Sequence, residues 1–233
     1  MARIVKEPLV RRNEILDAAQ RFMFSQGYEQ MTIQDILDDL KISKGAFYHY
    51  FNSKTELLEA LIARLQSEAE QVIIPILQDS QLSSVEKLQR FFDTAGRWKT
   101  ARKEYLLALV QGWYSPENAV VRQKSEASML KSMEPLFSEL IQQGIREGLM
   151  SSSCPGQVGG IIMSLFQGMA DPMVQIILSP QPKPEDLMRL DEIAFAYTDS
   201  IERLLGITPG TLKLVDHEIM KEWVVLPQET QII

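Results

Sequence analysis

Residues 31–58, MTIQDILDDLKISKGAFYHYFNSKTELL, read as two short helices and the start of a third, joined by turns that suit only a compact head. Thr32 opens the first with Asp35 three residues on, and Ser53 opens the last with Glu56 at the same spacing. Each pair matches a reciprocal cap, in which a hydroxyl accepts a backbone N–H and a carboxylate reaches back to another; Asp is a poorer partner there than Glu. Ile33, Ile36, Leu37 and Leu40 lay an apolar stripe along the first helix. Lys41-Ile42 make the turn. Ser43 caps a second helix carrying Lys44, Gly45, Ala46, Tyr48 and His49, while Phe47, Tyr50 and Phe51 are expected to anchor inward. A short helix, a tight turn and a second helix with small, hydrogen-bonding residues at its start is a layout that enters a DNA major groove.

Working outward, residues 1–8 read as a basic, mobile arm, with Pro8 placed where a helix can begin. A helix over about 9–26 shows Ile15, Ala18, Ala19, Phe22 and Met23 at helical spacing, and Gly27 ends it. Its expected role is to brace the two short helices, with Arg11 and Arg12 near enough to its start to reach phosphate. Downstream of Ser53, Leu57, Leu58, Leu61, Ile62 and Leu65 continue towards Val72 and Ile73, a rod long enough to leave the head, with Pro75 marking a kink or end.

Periodicity then predicts two helices in 85–115 with a joint near 99–103, a turn at 115–118, and a helix over 119–147 bent at Pro135. Two further helices carry Ile161 to Ile177 and Leu187 to Leu205, separated by a stiff Pro-rich linker. Gly160, Ser164 and Gly168 recur every four residues, a small-residue stripe that another helix can approach closely. Residues 211–223 suggest one more helix, and Val224-Val225-Leu226 read as extended.

The 233 residues suffice for a small domain and one of ordinary size. The expected division is 1–54, 55–206 and a C-terminal extension at 207–233. A single cysteine, Cys154, rules out an intrachain disulfide framework and fits a reducing compartment. The first twelve residues lack the apolar core of a secretory leader, and no uninterrupted apolar run of about 18 residues occurs; the expected location is cytoplasmic. With two histidines, one cysteine and no HExxH, CxxC or phosphate-loop pattern, no enzyme, metal or cofactor is expected. The net charge of -7 disfavours a broad nucleic-acid-coating surface. Yet residues 1–64 hold nine Lys/Arg against nine Asp/Glu, so the head is neutral. It can bind DNA if Arg3, Lys6, Arg11, Arg12, Lys41, Lys44 and Lys54 face one way and Asp38 and Asp39 another.

From about Arg12 to Leu61 the sequence resembles the DNA-binding head of TetR-family transcriptional regulators. The resemblance is carried by Ile15-Leu16-Asp17-Ala18-Ala19, Phe22, Gly27-Tyr28, Thr32-Ile33, Asp35-Ile36, Ile42 to Phe51 and Lys54. It implies an all-α chain of about nine or ten helices, with a three-helix head joined to a larger ligand-binding and dimerisation domain. It further implies that Thr32, Tyr48, His49 and Lys54 hold the DNA backbone while Ser43, Lys44 and Gly45 lie near bases. The chemistry agrees: Lys44 can donate to guanine, Ser43 to base or phosphate, and Ala46 can pack on a thymine methyl.

The resemblance also implies an effector cavity, for which Phe91, Phe92, Trp98, Tyr105, Trp113, Tyr114, Met129, Met133, Phe137 and Met169 are the candidate wall. Rings with polar tips mixed with methionines suit an apolar or amphipathic small molecule, although the same spacing also describes plain core. A homodimer is implied as well, with Gly160, Ser164, Leu165, Gly168, Leu190, Ala194, Tyr197 and Ile201 as interface candidates in a four-helix bundle. The expected function is a homodimeric repressor of a palindromic operator, released by its ligand. The alternative is a helical protein-interaction module with a degenerate head and no inducer.

Overall fold

A computed structural model describes residues 8–224, and the basic arm and the 225–226 end of the expected extended segment lie outside them. Ten α-helices make up the described chain: α1 Pro8–Gln30, α2 Ile33–Leu40, α3 Lys44–Tyr48, α4 Lys54–Gln78, α5 Ser84–Thr100, α6 Lys103–Trp113, α7 Ala119–Arg146, α8 Val158–Ile177, α9 Pro184–Leu205 and α10 His217–Trp223. No strand occurs among the described residues, and the chain is all-α. It divides into two compact units, Met1–Ser67 with Glu104–Ser125, and Glu68–Lys103 with Glu126–Ile233.

In the first unit, Ile15, Leu16, Ala18, Ala19 and Met23 of α1 pack with Ile36 of α2, Phe47 of α3 and Leu57, Leu58 and Leu61 of α4. Phe47 and Phe51 are fully enclosed, whereas Tyr50, expected as a third anchor, is only partly buried. Each such apolar side chain taken from water contributes about 1.5–3 kcal/mol, which fixes α3 by its inner face and leaves its outer face free. Leu109 and Val121 from the second segment join this same core. Gly27 interrupts α1 at φ 81 and ψ 161, a conformation only glycine adopts readily.

The second unit buries Leu88 and Phe92 of α5, Phe137, Leu140 and Ile141 of α7, Ile162 of α8 and Ile201 and Leu205 of α9. Pro75, Pro135 and Pro172 all lie inside helices rather than ending them. α8 has the length and mean hydropathy of a membrane-crossing helix. Ser164, Gln167, Asp171 and Gln175 interrupt its apolar run, and it packs along α9.

The last helix starts six residues later than periodicity suggests, at His217 rather than Thr211. The cause is local. The buried Glu202 carboxylate accepts the backbone N–H groups of Gly210 at 2.8 Å and Leu212 at 2.7 Å, and Gly210 turns the chain at φ 82. Leu212 and Leu214 are buried from irregular backbone, and Asp216 then caps α10 by accepting from Glu218 N–H.

Candidate nucleic-acid interface

The two short helices are set by their caps. Thr32 Oγ1 accepts from Asp35 N–H at 3.1 Å, while the Asp35 carboxylate accepts from Thr32 N–H and hydroxyl, each at 2.8 Å. Those bonds hold the Asp35 carboxyl below the usual range, the Thr32 N–H contributing most. The expected box at the start of α4 is only half formed. Ser53 Oγ accepts from Glu56 N–H at 3.0 Å, but Glu56 reaches past it to the Asn52 N–H at 2.7 Å and the Asn52 amide at 2.8 Å. A glutamate is long enough to find the stronger pair of donors one residue earlier.

Between α2 and α3 the chain turns on Lys41, a non-glycine residue at φ 51 whose N–H bonds to the Leu37 carbonyl. Ser43 then caps α3, its Oγ accepting from Ala46 N–H at 3.2 Å. Thr32, Ser43, Lys44, Gly45, Tyr48 and His49 are all exposed, and Ala46 is half-buried. The Lys44 ammonium lies 5.9 Å from the Tyr48 ring centre, and Tyr48 itself stands edge-on to the buried Phe47. α3 therefore presents a cation, a phenol, an imidazole and a glycine on the side opposite its core anchor. Such a surface can donate to base edges and phosphates while its small residues allow close approach.

Lys54 is placed differently. Its ammonium donates to the Glu29 carbonyl at 3.0 Å and lies 4.4 Å over the Tyr28 ring. Among the other cations, Arg11 pairs with Glu14 at 2.7 Å and Arg12 lies over Phe51 at 5.1 Å, while Lys41 and Lys44 are exposed. Asp39 is paired with Arg21 at 2.6 Å, and Asp38 accepts from Gln34 at 2.8 Å.

The profile of the bacterial regulatory proteins of the tetR family matches residues 15–61, the segment that builds this head. Residues 15–61 thus form a tetR-family DNA-binding head. Over 199 residues, 82% of its own length and 91% of the relative's, the regulator is 27% identical to an uncharacterised HTH-type transcriptional regulator, YfiR, of Bacillus subtilis. It is 24% identical over 152 residues, 64% of its length and 73% of the relative's, to the HTH-type transcriptional repressor KstR2 of Mycobacterium tuberculosis. A crystal structure of a TetR-family transcriptional regulator from Pectobacterium atrosepticum superposes with a TM-score of 0.62 at 17% identity, covering 84% of this chain and 95% of that one. The regulator is thus a DNA-binding protein of the helix-turn-helix class.

The candidate effector wall is divided between the two units. Tyr105, Trp113 and Tyr114 belong to the first, and the other seven residues to the second. There Phe91, Phe92 and Phe137 close on one another and on Phe166, with ring centres 5.1 to 6.2 Å apart. Met133 is buried, Met169 packs beside this cluster, and Met129 is exposed. Phe166 was not among the candidates, since its spacing on α8 matches any core position. The buried Trp98 indole N–H has no acceptor among the described residues, and Arg102 lies over its ring at 4.5 Å.

Of the interface candidates, Leu190, Ala194 and Ile201 are buried within the chain, Ser164 is exposed, and Gly160, Leu165, Gly168 and Tyr197 are half-buried. Ile161 on α8 and Met188 and Phe195 on α9 are exposed apolar side chains.

Proposed function

We propose that the regulator is a homodimeric, cytoplasmic repressor that binds a palindromic operator and releases it when a small apolar or amphipathic ligand binds. The observation that carries the reading is α3, capped by Ser43, anchored by Phe47 and turned outward with Lys44, Gly45, Tyr48 and His49 exposed. Ser43, Lys44, Gly45 and Ala46 face bases in this reading, and Thr32, Tyr48 and His49 hold the backbone. Lys54, already engaged with Glu29 and Tyr28, braces the head and meets phosphate only if it exchanges those partners. One head reads only a few base pairs, and a symmetric pair doubles the contact and calls for a palindrome. The exposed Ile161, Met188 and Phe195 support α8 and α9 as the faces that pair. The unmatched Trp98 N–H and the phenylalanine cluster of the same unit support an effector that is largely apolar with one acceptor atom. Residues 1–54 serve as the DNA-binding part, 55–206 as the regulatory part and 207–233 as an extension. The ligand acts by favouring the dimer state whose heads are wrongly spaced.

Selection of bound duplexes from a random pool, with the chain count per complex measured by light scattering, tests the reading. A palindromic winner bound by two chains, with affinity lost on Tyr48→Ala in a protein of unchanged circular dichroism, is expected. A monomer with and without DNA would overturn the dimer. No enriched duplex from folded protein would overturn the ligand-released repressor and favour a protein-interaction role.

A further inference from the structure

Tyr28 follows the Gly27 break directly and is 6% exposed. Three other segments of the first unit meet on it. On one side stands Gly112 of α6, where a Cβ would lie 2.6 Å from Tyr28 Cγ and 2.8 Å from its Cβ and Cδ1. No side chain can share that space with the ring. Burial pushes the Tyr28 hydroxyl above its ordinary pKa, an effect that the neighbouring side chains of Asn118 and Thr55 oppose. Asn118, 2% exposed at the end of the short turn Pro116–Asn118, also donates its amide to the Gly112 carbonyl at 2.8 Å. Lys54 covers the ring at 4.4 Å and binds the Glu29 carbonyl one residue on.

We infer that Tyr28, seated on Gly112, is the positioning residue through which segment 104–125 sets the pitch of α2 and α3 for DNA binding. The inference rests on the reading of the head as an operator-binding surface. Its physical basis is the length of the lever. Tyr28 lies four residues before the Thr32 cap and on the α2 side of the break at Gly27, a glycine that no other residue replaces without strain. A shift of the ring is therefore delivered to the start of α2 over a single turn. The seat is also all-or-none: with Gly112 bare the ring docks, and with a methyl there it cannot. Asn118 steadies the seat, since its bond to the Gly112 carbonyl holds the end of α6 in place.

The test uses the full chain and the duplex recovered by selection. Gly112→Ala is expected to weaken binding about tenfold without altering the salt dependence, because no phosphate contact is removed. Adding Tyr28→Leu to Gly112→Ala makes room for the methyl, so the pair is expected to bind no more weakly than Tyr28→Leu alone. Losses that simply multiply, or a Gly112→Ala protein that binds as the unmodified one does, would overturn the inference. Tyr28→Leu alone empties the seat and is expected to weaken binding about fivefold; it serves if Gly112→Ala does not fold, and unchanged affinity overturns the inference. Hydrogen exchange on the same variants reads the seat without DNA. Amides of residues 33–48 should exchange faster than in the unmodified chain while those of residues 12–24 do not, and equal protection refutes the inference whether or not a duplex is bound.

Discussion

Lys54→Met separates bracing of the head from phosphate contact in one substitution. The methionine keeps most of the stem and removes the charge that donates to the Glu29 carbonyl at 3.0 Å and covers Tyr28 at 4.4 Å. A charge-assisted bond at a half-exposed position contributes about 1.5 kcal/mol, and an ammonium over an aromatic ring about 0.5 kcal/mol at such a site. Their loss should lower the thermal midpoint by about 5 °C for a chain of this size. A phosphate contact leaves a different trace. Each one contributes about 0.9 to the slope of log affinity against log salt concentration, so losing one from each of two heads would flatten it by about 1.8. Differential scanning fluorimetry and operator titration between low and moderate salt read the two effects independently. A lowered midpoint with an unchanged slope is expected. An unchanged midpoint with a flattened slope would refute the argument and assign Lys54 to the DNA backbone instead.

Thr32→Ala removes the reciprocal cap of α2 and should cost about 1 kcal/mol in chemical denaturation, whereas Thr32→Ser, which keeps the hydroxyl, should cost far less; equal losses would mean that the methyl rather than the cap matters. Glu202→Gln leaves one of the two backbone donors, Gly210 or Leu212, facing an amide NH2 and should destabilise by about 2 kcal/mol in urea, with no such loss if the 207–216 segment is not tied through this carboxylate. The carboxyls of Asp35, Glu86 and Glu147 are held below their ordinary range, chiefly by the Thr32 N–H, the Ser83 hydroxyl and the Ser84 N–H. Because the folded values lie below the unfolded ones, their stabilisation is complete above the ordinary carboxylate range and disappears as pH falls through the folded values. The thermal midpoint should hold from neutrality to about pH 5 and then decline, and Glu86→Gln should narrow that decline; a midpoint that rises on acidification would contradict the assignment.

What the sequence reveals is what neighbours in the chain decide. Thr32 with Asp35, Ser43 before Ala46 and Gly27 at the break within α1 all act within a few residues of themselves, and each was legible. Apolar periodicity located α5, α6 and α7 and the joint between α5 and α6 for the same reason. Glu56 shows the limit at short range, since spacing names a donor three residues away but not a better one four away. Glu202 shows it at longer range, where one buried carboxylate, eight and ten residues back, overrides the helical pattern of 211–216. The outer face of α3 followed from the inward pull of Phe47 and Phe51. Nothing comparable distinguishes Phe91 and Phe137 as a ligand wall from rings that fill space against Phe166. Nor does local sequence mark Gly112 or Asn118, whose significance lies entirely in a residue more than eighty positions away.

The burial of Leu109 and Val121 among the side chains of α1, α2, α3 and α4 bears on how such proteins can be recombined. A graft cut after residue 67 would carry the DNA-facing helices into a new host yet strip the Leu109 and Val121 side chains and the Tyr28 seat from beneath them. Moving residues 104–125 along with the head would preserve that packing. The DNA-facing helices and segment 104–125 share one core in this chain, and a hybrid that swaps one must rewrite part of the other.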